Sequence, residues 1–116
     1  MSKVLKVHVG GGFDAVAKRV VDAWRRAERG ENVNEDHLTF VSWETLAKVM
    51  TPKRFELLRH LHRHPAASVA ALARSLERDY KRVFEDVEAL TQAGLIERDE
   101  AGLRADYDEM RTVIAL

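Results

Sequence analysis

Apolar positions along the chain alternate first at a spacing of two, then at three and four. Residues 3–9 (KVLKVHV) put Leu5, Val7 and Val9 on one side and Lys6 and His8 on the other, which predicts a half-buried strand. Gly10, Gly11 and Gly12 break that strand and suit a tight turn into a helix. From 14 to about 29 the apolar positions are Phe13, Ala17, Val20, Trp24 and Ala27, a seam widened by Val16, Val21 and Ala23. That period predicts an amphipathic helix, with Asp14 as its N-cap and Gly30 as its stop. A polar connector over 31–36 (ENVNED) leads to a second short strand at 37–41 (HLTFV). Ser42 then caps a short helix over 43–50, with Trp43, Leu46, Ala47 and Met50 on one side.

The stretch 51–106 carries denser punctuation. Thr51-Pro52 opens a helix: the threonine caps, and the proline takes a position where a missing N–H costs nothing. Phe55, Leu57, Leu58 and Leu61 form its buried side, and it ends before Pro65. Ser68 caps a two-turn helix over 69–76 with Leu72, Ala73 and Leu76 inward. Residues 77–79 are too few for a loop and make the turn between two crossing helices. Asp79 caps the next helix, where Tyr80, Val83, Phe84, Val87 and Leu90 share a face. Gly94 ends it, and Leu95 packs back after it. Short strands at 95–98 and 103–106 flank a 99–102 turn, giving a hairpin.

The tail alternates at Met110, Thr112, Ile114 and Leu116 and is expected to be a buried strand. It should form a sheet with the 3–9 and 37–41 strands. This order of elements predicts an α+β fold, a winged helix-turn-helix with an N-terminal strand-helix-strand extension. The expected division is 1–36 for the extension and 37–116 for the winged helix-turn-helix.

Bulk composition narrows the options. There are 19 basic and 19 acidic residues, so the chain is no indiscriminate polyanion coat; a specific DNA binder needs a basic face rather than a basic total. No apolar run approaches the roughly 20 residues of a membrane span, and the first residues lack the apolar core of a signal peptide. With no cysteine there is no disulfide framework or thiol site. A cytoplasmic protein is expected.

Candidate chemistry gathers on the 79–93 helix. With Val83, Val87 and Leu90 inward, Lys81, Arg82 and Glu85 point out, and Arg78 stands on the turn just before. Guanidinium forks at the start of such a helix suit guanine edges and phosphates, the use to which a recognition helix puts them. Ser68, with the free N–H groups of its helix, and Arg74 would position that helix on a phosphate. Arg98 and Arg104 flank the hairpin tip and would reach a minor groove. Lys53 and Arg54 begin the 52–64 helix and are also placed to meet the backbone, although a solvated lysine is the better reading of Lys53.

Other motifs lead less far. His60 and His64 share a helical face as metal ligands can, but His62 does not, and histidines suit a helix C-terminus without any metal. The 10–12 glycines lack the GxGxxG spacing and a following lysine-serine pair, so no cofactor is expected there. No serine sits in a nucleophile elbow, and Glu85 and Asp86 read as solvated, so an enzyme is the least favoured class.

The strings LTFVSWETLAKVMTPKRFELLRHL and SVAALARSLERDYKRVFEDVEALTQAGLIE resemble a family of MarR-like winged-helix transcriptional regulators of bacteria and archaea. The resemblance runs from about residue 38 to residue 96. Its most specific pieces are TPKR, Ser68 with Leu72-Ala73-Arg74, Arg78-Asp79, and Asp86-Val87 followed by Gly94-Leu95-Ile96. The chain departs from the family in lacking a proline before the last strand. The resemblance implies an autorepressor binding double-stranded DNA, and often the antitoxin of a pair with a cognate toxin protein.

A homodimer reading a palindrome is expected, with the 13–27 seam and the terminal strands as its surface. The alternatives are a module that occludes a partner toxin through the N-terminal extension, and a ligand- or metal-sensing repressor of the same fold.

Overall fold

The computed structural model describes residues 3–30 and 35–116 and has a mixed α+β architecture. The elements are β1 (Val4–Val9), α1 (Gly12–Glu28), β2 (Glu35–Phe40), α2 (Trp43–Val49), α3 (Pro52–Arg63), α4 (Val69–Leu76), α5 (Tyr80–Gln92), β3 (Glu97–Asp99), β4 (Gly102–Arg104) and β5 (Glu109–Ile114). They divide into two compact units, Met1–Leu46 with Tyr107–Leu116, and Ala47–Asp106. The division differs from the expected break after residue 36: β2 pairs with one side of β1 and β5 with the other, which takes both 35–40 and the tail into the first unit. Among the described residues, no helix is long and apolar enough to cross a membrane.

The first unit is a three-stranded sheet in the order β2-β1-β5, parallel throughout. The expected three-stranded partnership is therefore present. In register, Val7 lies beside Leu38 and Thr112, while Lys6 lies beside His37 and Arg111. The alternation of β1 thus propagates across the sheet and separates an apolar face from a polar one. Leu5, Val7, Val9 and Phe40 are buried. His8, on the polar face, is buried as well, at 6% exposure.

Gly10, Gly11 and Gly12 all have positive φ and turn the chain from β1 into α1. The N-cap is Gly11, with no side-chain hydrogen bond, so Asp14 does not cap: the helix has already begun at Gly12. The connector expected over 31–36 lies largely outside the described residues, as does the side chain of Phe13 in the seam.

On α1 the seam named as a dimer surface is exposed: Val20 and Trp24 are both 64% exposed, and Ala17 and Ala27 are exposed too. The expected burial of the tail's apolar residues does not hold. In the tail, Val113 and Ile114 of β5 and Leu116 after it are exposed. Tyr107 is half-buried, and desolvation pushes its phenol up to about 12.

The second unit follows its local signals closely. The Thr51 hydroxyl accepts from the Arg54 N–H, and Pro52 sits in the first turn of α3. Leu57, Leu58 and Leu61 are buried, but Phe55 stays 43% exposed beneath the Arg59 guanidinium, 5.8 Å from the ring centre. α5 ends in a paired lock: Gly94 N–H donates to Thr91 and Leu95 N–H to Leu90, the Schellman arrangement that a positive-φ glycine permits.

β3 and β4 form an antiparallel hairpin. Leu103 and Ala66 exchange backbone hydrogen bonds, tying the hairpin to the segment after α3. Gly102 makes that approach possible, since a Cβ there would fall 2.2 Å from the Ala66 carbonyl oxygen.

Candidate functional site

The free surface of α4 and α5 is set by how the two helices are capped and packed. Ser68 Oγ accepts from Ala71 N–H at 3.1 Å, and Val69, Leu72 and Ala73 are buried, which leaves Arg74 exposed in the last turn. Glu77 closes α4 in the left-handed region at φ 54, where glycine is the usual residue. Its N–H donates to Arg74, and that of Arg78 to Ala73. Two residues on, Asp79 accepts from the Arg82 N–H and starts α5.

Val83, Val87 and Leu90 have no exposed surface. At 100° per residue, that stripe turns Lys81 and Glu85 to the opposite side, with Arg82 on one flank and Tyr80 and Phe84 on the other. Lys81, Arg82 and Glu85 are exposed, as the spacing predicts. No hydrogen bond or ion pair ties the side chains of Arg74, Lys81 or Arg82 among the described residues. Tyr80 and Phe84 are 53% and 39% exposed and stack on one another at 6.1 Å, so they do not join the buried face to which their spacing assigned them. They lie at the border of the stripe, and only the packed helix shows on which side of the border they fall.

Arg78 is placed differently from expectation. Its Nη2 donates to Asp86 Oδ2 at 2.8 Å, while Arg54 Nε donates to Asp86 Oδ1 at 3.0 Å. Arg54 also donates to the carbonyls of Lys48 and Val49. Asp86 is thus held between two guanidiniums at 14% side-chain exposure, with both arginines at 20%. Withdrawing one arginine would leave a largely desolvated carboxylate half-satisfied, a costly change. Arg78 and Arg54 are therefore structural cations, and Asp86 is not the solvated carboxylate expected.

The hairpin arginines are paired more loosely. Arg98 meets Glu88 at 2.8 Å, with both side chains about two-fifths exposed. Arg104 bonds Asp99 and Glu97, also near the surface. The Arg104 hydrogen bond, then the Ala101 N–H, hold the Asp99 carboxyl below its ordinary range. Exposed pairs of this kind exchange readily for another anion. Ser68, Tyr80 and Arg98 line one cavity of about 300 Å³ closed by Gly102 and Leu103. The residues predicted as a site therefore split into a free set (Arg74, Lys81, Arg82), an exchangeable set (Arg98, Arg104), a cap (Ser68) and an internally committed Arg78.

The histidines are occupied locally. His60 Nε2 lies 2.8 Å from Ser75 Oγ, and His62 Nδ1 lies 2.8 Å from the Ala105 carbonyl. His60 and His64 tilt against each other at 5.1 Å. Among the described residues no three histidine or carboxylate groups come together as a metal site would require.

A family model described as HVO_A0114 matches residues 49–112, more than half of the chain. The chain belongs to the HVO_A0114 family. No curated protein and no solved structure matches it.

Proposed function

We propose that the Ala47–Asp106 unit is a winged helix-turn-helix of the MarR-like kind. On this reading the chain is a sequence-specific regulator that binds double-stranded DNA and represses its own operon. The observation that carries it is the state of α5: its apolar stripe is fully buried while Lys81 and Arg82 stand exposed in its first turn without internal partners. Those two side chains read the major groove. Ser68 and Arg74 set the helix on the phosphates, and Arg98 and Arg104 exchange their surface carboxylates for phosphate at the wing. Arg78 acts indirectly, by holding the turn that aims α5.

The exposed α1 seam supports a homodimer, which would present two copies of α5 to a palindrome. The same seam favours a second reading, in which the N-terminal unit occludes a cognate toxin and the chain serves as the antitoxin of a pair. Neither role calls for an enzyme's chemistry.

The test is a gel shift with DNA from upstream of the chain's own gene. Arg82→Ala should cost on the order of 1–3 kcal/mol and relax base preference, and Lys81→Ala should weaken binding while lowering its salt dependence. Unchanged affinity and specificity in the double variant would overturn the proposal. Sedimentation of the chain alone and with the product of the neighbouring gene separates the homodimer from the toxin complex.

A further inference from the structure

The first unit holds a second concentration of charge that the DNA-binding reading leaves unused. A cavity of about 470 Å³ lies between α1 and the polar face of the sheet. It is lined by five cations, Lys6, Arg19, Arg25, Arg26 and Arg29, against a single carboxylate, Asp22. Its volume falls within the range of small-molecule sites.

Three observations distinguish this cavity from an ordinary solvated helix face. First, the cations come from two elements and converge: Lys6 rises from the central strand while the arginines descend from α1, where Arg19 Nη2 donates to Thr39 Oγ1 at 2.9 Å across the gap. Second, the polar side of α1 faces the sheet while Val20 and Trp24 face outward, the reverse of what burial of apolar surface alone would select. A helix dipole accounts for Arg25 and Arg26 as last-turn cations, but not for this orientation. Third, the wall includes a polar side chain removed from water: His8 is 6% exposed, with Nε2 2.8 Å from Nδ1 of His37 and the two rings stacked at 5.1 Å.

We propose that this cavity binds a small molecule carrying two or more phosphate groups. The arginines extend over roughly 15 Å of helix at 1.5 Å per residue, longer than one phosphate needs and suited to a diphosphate or triphosphate. Guanidinium forks meet phosphate oxygens in pairs. The floor is formed by Lys6, His8 and His37 of the sheet's polar face. The site involves none of Arg74, Lys81 or Arg82, so it stands or falls apart from the DNA-binding reading.

The experiment is calorimetric titration of the full chain with inorganic pyrophosphate and, separately, with ATP, in 150 mM NaCl as a buffer condition of about physiological ionic strength. Saturable binding of either, weakened at least tenfold in Arg25→Ala/Arg29→Ala and unchanged in Lys81→Ala/Arg82→Ala, is the expected result. Preference for ATP over pyrophosphate would mark an organic phosphate as the occupant, and the reverse an inorganic one. Lys6→Gln, at the floor, should reproduce the loss should the double variant fold poorly. Absence of saturable heat with both probes would overturn the proposal. So would equal weakening by the Lys81/Arg82 pair, or loss of duplex DNA binding in the Arg25/Arg29 variant, since either would make the cavity part of a DNA surface.

Discussion

α1 and α5 are both amphipathic helices with cations on their polar side, and they use that pattern in opposite senses. In α5 the stripe Val83, Val87, Leu90 is fully buried and Lys81 and Arg82 face solvent. In α1 the seam through Val20 and Trp24 is exposed, and the arginines line a cavity against the sheet. An apolar stripe shows that one side of a helix is to be removed from water. It does not show what removes it. For α5 the cover is the helix's own unit, and the basic side is free for a ligand. For α1 the basic side lines the cavity against the sheet, and the apolar side is exposed.

The widest gap between the two helices should appear in stability. Leu90→Ala removes a side chain with no exposed surface from the centre of the second unit and should cost about 2–5 kcal/mol in urea unfolding followed by circular dichroism. A loss under about 1 kcal/mol would mean that the α5 stripe is not the core it is taken for, and the outward direction of Lys81 and Arg82 would lose its basis.

A smaller effect separates the two kinds of arginine at the start of α5. Asp86→Ala would leave Arg54 and Arg78 largely desolvated and facing each other without their shared carboxylate. The expected cost is about 2–3 kcal/mol, below the 3–5 kcal/mol for a fully buried pair because some solvent reaches all three groups. DNA affinity of the folded protein should fall less than in Arg82→Ala, since Lys81 and Arg82 are untouched and only the Arg78 anchor that holds the turn before α5 is lost. Unaltered stability with altered DNA affinity would return Arg78 to the DNA-contacting set.

These contrasts follow how much of the molecule could be read from its residues. The helical part of the second unit was legible because its signals are local: Thr51-Pro52, Ser68, Asp79 and Gly94 each act within a few residues. Alternation at Met110, Thr112 and Ile114 marks the tail as a strand, and the expected sheet with β1 and β2 forms although Ile114 and Leu116 stay exposed. What escaped depends on distant neighbours. Arg54 and Asp86 are 32 positions apart, and no spacing rule joins them, so local sequence alone turns both toward solvent. Tyr80 and Phe84 sit at the edge of a stripe, where the helical period alone does not decide burial. The cavity under α1 was invisible for the same reason as the direction of its seam: periodicity defines two sides and is silent on which one meets the sheet.

Trp24→Ala addresses that silence directly and should have the smallest effect on the isolated chain. At 64% exposure the indole contributes little to its own unit, so dilute-solution unfolding should shift by no more than about 0.5 kcal/mol. If a second copy covers the seam, the consequence appears instead in association: the wild-type midpoint should rise with protein concentration, and that dependence should vanish in the variant. A loss in dilute solution as large as that of Leu90→Ala would place the seam inside its own fold. α1 and α5 would then be covered alike, and the first unit would have neither an outward apolar side nor an inward cationic one.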